Sequence, residues 1–317
     1  MQLTALTQKS ALPAIMLLVV IVITTALRSR LAPYAIEVAD TPFLGTTLAL
    51  ILAVITHLIT GFVEGKVQLR SGLSKGYNTL SIPLYGLLAC GIAFSPNALT
   101  SAAASLCFAL AMHLILRSLH QTDERDSLFF ASFLLGTMVL LTPPSIVLVG
   151  VIPLVFIILA LSLRQLVLMI VGYITPLFAA SYIVWYRGGE FWDLARNLFS
   201  HLATPQMESL QQLPYLAIAM IVGIVAILIW GAIYSTIRPD KMLMLARVRR
   251  SMHLFVWLLL LTLSMVFIPS CNLSILAIVA IPATTLLSFI FSLLPSNHST
   301  IAYWVLLLLF VIHLFVA

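Results

Sequence analysis

The sequence predicts an all-α protein, a polytopic bundle of transmembrane helices, and three observations carry that prediction. Only 26 of the 317 residues are Asp, Glu, Lys or Arg, against 62% hydrophobic residues. The charges fall in short clusters between apolar runs close to the roughly 20 residues that a 30 Å hydrocarbon core requires. Several of the breaks between runs are marked by proline, as in Ser95-Pro96-Asn97, Thr142-Pro143-Pro144, Ile268-Pro269-Ser270 and Pro295-Ser296-Asn297. Within lipid every backbone N–H and C=O must be satisfied inside its own segment, which selects helices.

Eleven spans follow in order: Ala11–Leu27, Phe43–Val63, Thr79–Phe94, Ala98–Leu116, Leu128–Thr142, Ser145–Leu163, Leu166–Tyr186, Leu213–Ile237, His253–Ile268, Leu273–Leu294 and Thr300–Val316. Proline lacks an N–H and clashes with the preceding turn, so the doubled or Asn-flanked prolines read as hairpin corners. The two segments around Pro143-Pro144 are short. They form either two crossings or one re-entrant hairpin, so the count lies between nine and eleven. The first apolar run is followed by Arg28 and Arg30 with no small-residue cleavage pattern, and reads as a retained helix rather than a signal peptide. The whole chain, 1–317, is expected to be one transmembrane domain without a soluble domain.

Orientation follows from Lys and Arg alone. With the N-terminus in the cytoplasm, twelve basic residues fall inside, including Lys66, Arg70, Arg117 and Arg238 through Arg250. Four, Arg28, Arg30, Arg187 and Arg196, fall outside. The C-terminus then lies outside. The expected location is the bacterial inner membrane.

Composition excludes several chemistries. Cys90, Cys107 and Cys271 are unclustered and offer neither a disulfide framework nor zinc spacing, and no metal site is expected. No P-loop, HExxH, GxSxG or strand-linked G-x-G-x-x-G occurs. The basic stretch Arg238–Arg250 suits anionic lipid at about 1 kcal/mol per basic residue and needs no nucleic acid. No Asp, Glu, Lys or Arg falls near the middle of any of the eleven spans, which argues against an ion-coupled carrier.

Two outer segments remain. Between the first two spans, Glu37 and Asp40 lie three residues apart with Arg28 and Arg30 nearby. Paired acids can act as a general base or hold a cation, and arginines receive phosphate. Asp40 and Pro42 also read simply as a helix start. The second segment, Arg187 through Leu202, places Phe191, Leu194, Ala195, Leu198, Phe199 and Leu202 at helical spacing. It predicts an amphipathic helix lying at the headgroup level with Trp192 as anchor.

The stretch from Ser95-Pro96-Asn97 through Leu116-Arg117-Ser118-Leu119 and Asp126-Ser127-Leu128-Phe129-Phe130-Ala131-Ser132 to Pro143-Pro144 and Arg164 resembles an uncharacterised family of Bacteroidota integral membrane proteins. In architecture the chain resembles the C-type membrane glycosyltransferases, with an acidic first outer loop, short hairpins and a later outer amphipathic helix. That resemblance implies sugar transfer from polyprenyl-phosphate carriers at the outer face. Glu37 and Asp40 would be the catalytic acids, Arg28, Arg30, Arg187 and Arg196 would bind lipid phosphate, and a divalent cation would be the cofactor if the protein is enzymatic. The chain departs from the class in its first outer loop of about 15 residues, its small size and its lack of a terminal soluble domain. A non-catalytic subunit or assembly factor of an envelope complex, such as a protein translocon, is the alternative. A channel or carrier ranks third. The expected partners are membrane lipids, polyprenyl-phosphate sugars and other envelope membrane proteins.

Overall fold

The computed structural model describes residues 11–31, 46–73, 79–90, 98–118, 125–203, 215–237, 246–268, 270–271, 275–294 and 296–316. These residues form twelve α-helices and no strand: α1 Ala11–Leu31, α2 Thr46–Ser71, α3 Ser81–Ala89, α4 Ala98–Ser118, α5 Arg125–Leu141, α6 Val151–Leu159, α7 Leu163–Tyr186, α8 Asp193–Ala203, α9 Tyr215–Ile237, α10 Ala246–Ser264, α11 Ile275–Leu293 and α12 Ser296–Val316. Five helical stretches are long and apolar enough to cross a membrane: Thr47–Ser71, Leu99–Ser118, Leu163–Tyr186, Val248–Phe267 and Ile275–Leu293. Shorter apolar helices at Ala11–Leu27, Asp126–Leu141, Pro143–Leu159, Ile221–Trp230 and Asn297–Ile312 accompany them. A chain so built is a helical membrane protein.

One expected boundary is corrected. The second span does not end at Val63. The helix continues for two further turns to Ser71 and stops where Gly72 takes a left-handed conformation at φ 69, the usual glycine terminator. The sequence Glu64-Gly65-Lys66 looks like the polar end of a span, yet Glu64 is fully buried. A buried ionisable residue therefore lies in the last third of a crossing-length helix, just beyond the expected end of the span.

Other boundaries hold or shift modestly. The third expected span is helical only over Ser81–Ala89 among the described residues, and all nine of these residues are buried. At Thr142 the backbone is extended; Pro143–Gly150 then winds as a tight 3₁₀ helix into α6, which ends at Ala160 in a left-handed turn. A serine–glutamine capping box at Ser162 and Gln165 starts α7, each side chain satisfying the other's backbone N–H.

Lipid does not reward apolar contact between helices, so these pack by close fit rather than by a hydrophobic drive. Gly136 of α5 faces the Tyr173 carbonyl of α7, and Gly172 of α7 faces the Phe129 carbonyl of α5. A Cβ built at Gly172 would sit 2.5 Å from that oxygen. Around α3, Gly61 and Gly65 of α2 admit Leu18, Tyr85 and Ile82, while Gly86 admits Leu18 and Ile21 of α1.

At the centre lies α11. In its crossing-length window 89% of the residues are buried, against 28% for α7. A helix apolar on every face belongs inside a bundle, and α11 packs against α2, α3, α4, α9 and α10. Helices α2 and α4 run side by side in the same direction. Ala53 meets Ala102 near one end, and Lys66 and Arg70 lie within electrostatic reach of His113 near the other.

Candidate functional site: a buried carboxylate in a polar seam

Along α2, residues His57, Thr60, Glu64, Gln68 and Ser71 recur at intervals of three or four, which places them on one face of a helix. All five are buried. At 1.5 Å per residue the stripe runs for about 21 Å, far longer than a single buried hydrogen bond requires. It faces polar groups of three neighbouring helices.

Glu64 is the charged member. Its Oε1 accepts from Thr285 Oγ1 at 2.5 Å and from Thr284 Oγ1 at 3.1 Å, both on α11. These threonines lie two and three residues beyond Pro282, inside the same helix. Both hydroxyls also lie within hydrogen-bond distance of the Ile281 carbonyl, at 3.0 Å from Thr284 and 3.2 Å from Thr285. A hydroxyl has one proton to donate and two lone pairs to accept with. Each threonine therefore chooses between Glu64 and Ile281 as acceptor.

Glu64 Oε2 is buried without a hydrogen-bond partner among the described residues, as are Gln68 Nε2 and Ser81 Oγ. Gln68 uses its Oε1 to accept the Ser81 N–H at 3.3 Å, so α2 caps the first turn of α3. The unused atoms comprise an acceptor, a donor and a hydroxyl within two adjoining turns.

One to two turns further along the stripe, Tyr85 of α3 is the hub. Its hydroxyl lies 3.0 Å from His57 Nδ1 and 3.0 Å from Ser105 Oγ of α4. Thr60 is also in hydrogen-bond range of it, and Glu64 is within electrostatic reach. Ser105 Oγ can also donate to the Ala102 carbonyl at 2.8 Å. The seam thus links α2, α3, α4 and α11 through side chains that both donate and accept.

The residues expected to carry outer-face chemistry are placed unevenly. Glu37 and Asp40 lie outside the described residues. Arg28 and Arg30 fall on the last turns of α1. Arg187 caps the end of α7 and is exposed, and Gly188 follows it with φ 93. Arg196 is on α8, where it pairs with Glu190 at 2.6 Å and with Asp193 at 3.6 Å. Asp193 Oδ2 also takes the Glu190 N–H at 2.7 Å, so these charges largely serve the start of α8. The expected amphipathic helix is present. Phe191 stacks edge-on against Phe178 of α7 and against Trp192.

No cluster of three or more His, Cys, Asp or Glu side chains occurs among the described residues. The seam itself carried a sequence signal, the spacing His57, Thr60, Glu64, Gln68, Ser71. Apolar-run length hides it, because the run ends at Val63, one residue before Glu64. Comparison of the chain with protein-family models, with curated proteins and with solved structures finds no match.

Proposed function

We propose that this protein is a proton-coupled membrane carrier in which Glu64 takes up and releases the coupling proton. One observation carries the reading: a buried carboxyl is held by two hydroxyls that each have a second acceptor. When Glu64 is ionised, Thr284 and Thr285 donate to it. When Glu64 is protonated, its O–H donates to Thr285 and the threonine hydroxyls turn to the Ile281 carbonyl. Both charge states are then hydrogen-bonded without movement of any heavy atom. Ionisable groups are costly at membrane depth and mark ion pathways or proton relays where they occur. A single carboxylate also balances a single unit charge, which fits a proton better than a divalent ion. Tyr85, His57 and Ser105 supply donor–acceptor groups along which the proton can approach.

In the orientation expected from the basic residues, α2 descends towards the cytoplasm in a bacterial inner membrane, and the C-terminus is outside. A reporter fused after Ala317 that works only in the cytoplasm would reverse that assignment. Lipid-linked sugar transfer at the outer face draws less support, because Arg196 is already engaged by Glu190 and Asp193.

The test is infrared difference spectroscopy of the purified protein in lipid as pH is lowered. A carboxyl C=O band that grows in the native protein and is missing from Glu64→Gln is expected. A pH jump on the purified protein in lipid should show about one proton fewer bound per chain in Glu64→Gln than in the native protein. An identical band and proton uptake in both proteins would end the proposal.

A further inference from the structure

We infer that the shared end of α2 and α4, alongside the last turns of the polar seam, is a binding site for a phosphate group. Lys66 and Arg70 lie one turn apart on α2, and His113 and Arg117 lie one turn apart on α4. Because the two helices are parallel, the four groups come to one level, with Lys66, Arg70 and Arg117 all within electrostatic reach of His113. Neither Lys66 nor Arg70 has a carboxylate partner among the described residues. The nearest acid on α2, Glu64, is turned into the bundle towards Thr285.

Two atoms point to a ligand. Arg70 Nη1 and His113 Nδ1 are buried and have no hydrogen-bond partner among the described residues, although both side chains are only half-buried. Cations in the last turn of a helix complement its dipole, which accounts for Arg70 and Arg117. It does not account for Lys66 and His113, each a full turn further in. Lys66 is held along the helix, its Nζ 4.7 Å from the centroid of the Phe62 ring. An arginine fork, an ammonium and an imidazole together match the charge and the several acceptor oxygens of phosphate. The end of a crossing helix is also the depth at which lipid phosphates lie. The same chemistry would receive a lipid headgroup or a soluble phosphate.

The experiment uses the full chain in maltoside micelles, titrated with short-chain phosphatidylglycerol in one arm and with inorganic phosphate in the other. Native mass spectrometry counts bound lipid, and the thermal midpoint reports binding in both arms. Arg70→Gln combined with His113→Gln should weaken binding at least tenfold. Lys66→Gln, a change at an exposed side chain, should weaken it severalfold and serves if the double variant does not fold. Arg164→Gln, at an exposed basic residue in the first turn of α7, should leave it unchanged. Binding of phosphatidylglycerol that inorganic phosphate does not displace identifies a lipid headgroup; displacement identifies a soluble phosphate. Equal losses in the Arg164 control, or no loss in any variant, would overturn the site.

Discussion

Thr285 Oγ1 lies 2.5 Å from Glu64 Oε1, across 221 positions of sequence, and this contact ties the most buried of the five crossing-length helices to the one fully buried carboxyl among the described residues. The threonine stands one turn beyond Pro282 on α11, and the carboxyl faces it from a stripe of polar residues on α2. Removing one partner of a buried charged hydrogen bond exposes the other to an environment that cannot solvate it. The two residues are expected to behave as a coupled pair.

Thr285→Val should therefore destabilise the protein while Glu64 is present, by about 0.5–2 kcal/mol, the scale of interhelical hydrogen bonds in membranes. In a Glu64→Leu background the same change should cost little, because no carboxyl remains to be satisfied. Reversible unfolding in mixed detergent gives the four stabilities of the cycle. Equal costs in both backgrounds would show that Thr285 acts through the Ile281 carbonyl alone.

The glycine crossing between α5 and α7 makes a second expectation. Gly136→Ala and Gly172→Ala each push a methyl against a backbone oxygen of the partner helix, and backbone cannot rotate away. Overpacking of this kind costs about 1–3 kcal/mol. Gly223→Ala on α9, where nothing lies within 4 Å of the added Cβ, should be neutral or stabilising by up to about 1 kcal/mol through helix propensity. Thermal midpoints of the three variants check the contrast.

Cys271, in the connection before α11, is buried, and burial pushes its thiol up to about 11. The thiolate is the reacting species. Alkylation by iodoacetamide should be slow at pH 8 and accelerate as pH rises towards 11. Unfolded protein should label readily at pH 8. Rapid labelling of the folded protein at pH 8 would show that the thiol is neither shielded nor shifted.

On α8 and the turn before it, Trp192 and Phe199 are both 65% exposed and seven residues apart, so they share a face. That face is expected to lie in the lipid headgroup region. In a protein keeping Trp192 as its sole tryptophan, brominated lipids should quench its fluorescence, most strongly with bromines near the headgroup. Strongest quenching from bromines at the bilayer centre would place the segment deeper than proposed. Arg196→Ala should shift stability by less than about 0.5 kcal/mol, since its ion pairs are exposed and water screens them.

The sequence by itself determined the solvent and most of the elements. Apolar run length located Ala98–Leu116 against the observed Ala98–Ser118, and Leu166–Tyr186 against Leu163–Tyr186. Amphipathic spacing located α8, because helical period is a local property of the chain. Glu64 was not legible in the same way. A hydropathy reading averages over all faces of a helix and treats a carboxylate as the end of a span, whereas a bundle has an inside that can hold it. Only the tertiary structure set Thr284 and Thr285 against that carboxyl, brought Tyr85 between His57 and Ser105, and aligned Lys66 and Arg70 with His113. Those pairings depend on which helices are neighbours and at what register. The pattern of apolar residues leaves both open, because lipid and protein interior are equally apolar and only close packing and buried polar contacts distinguish one neighbour from another.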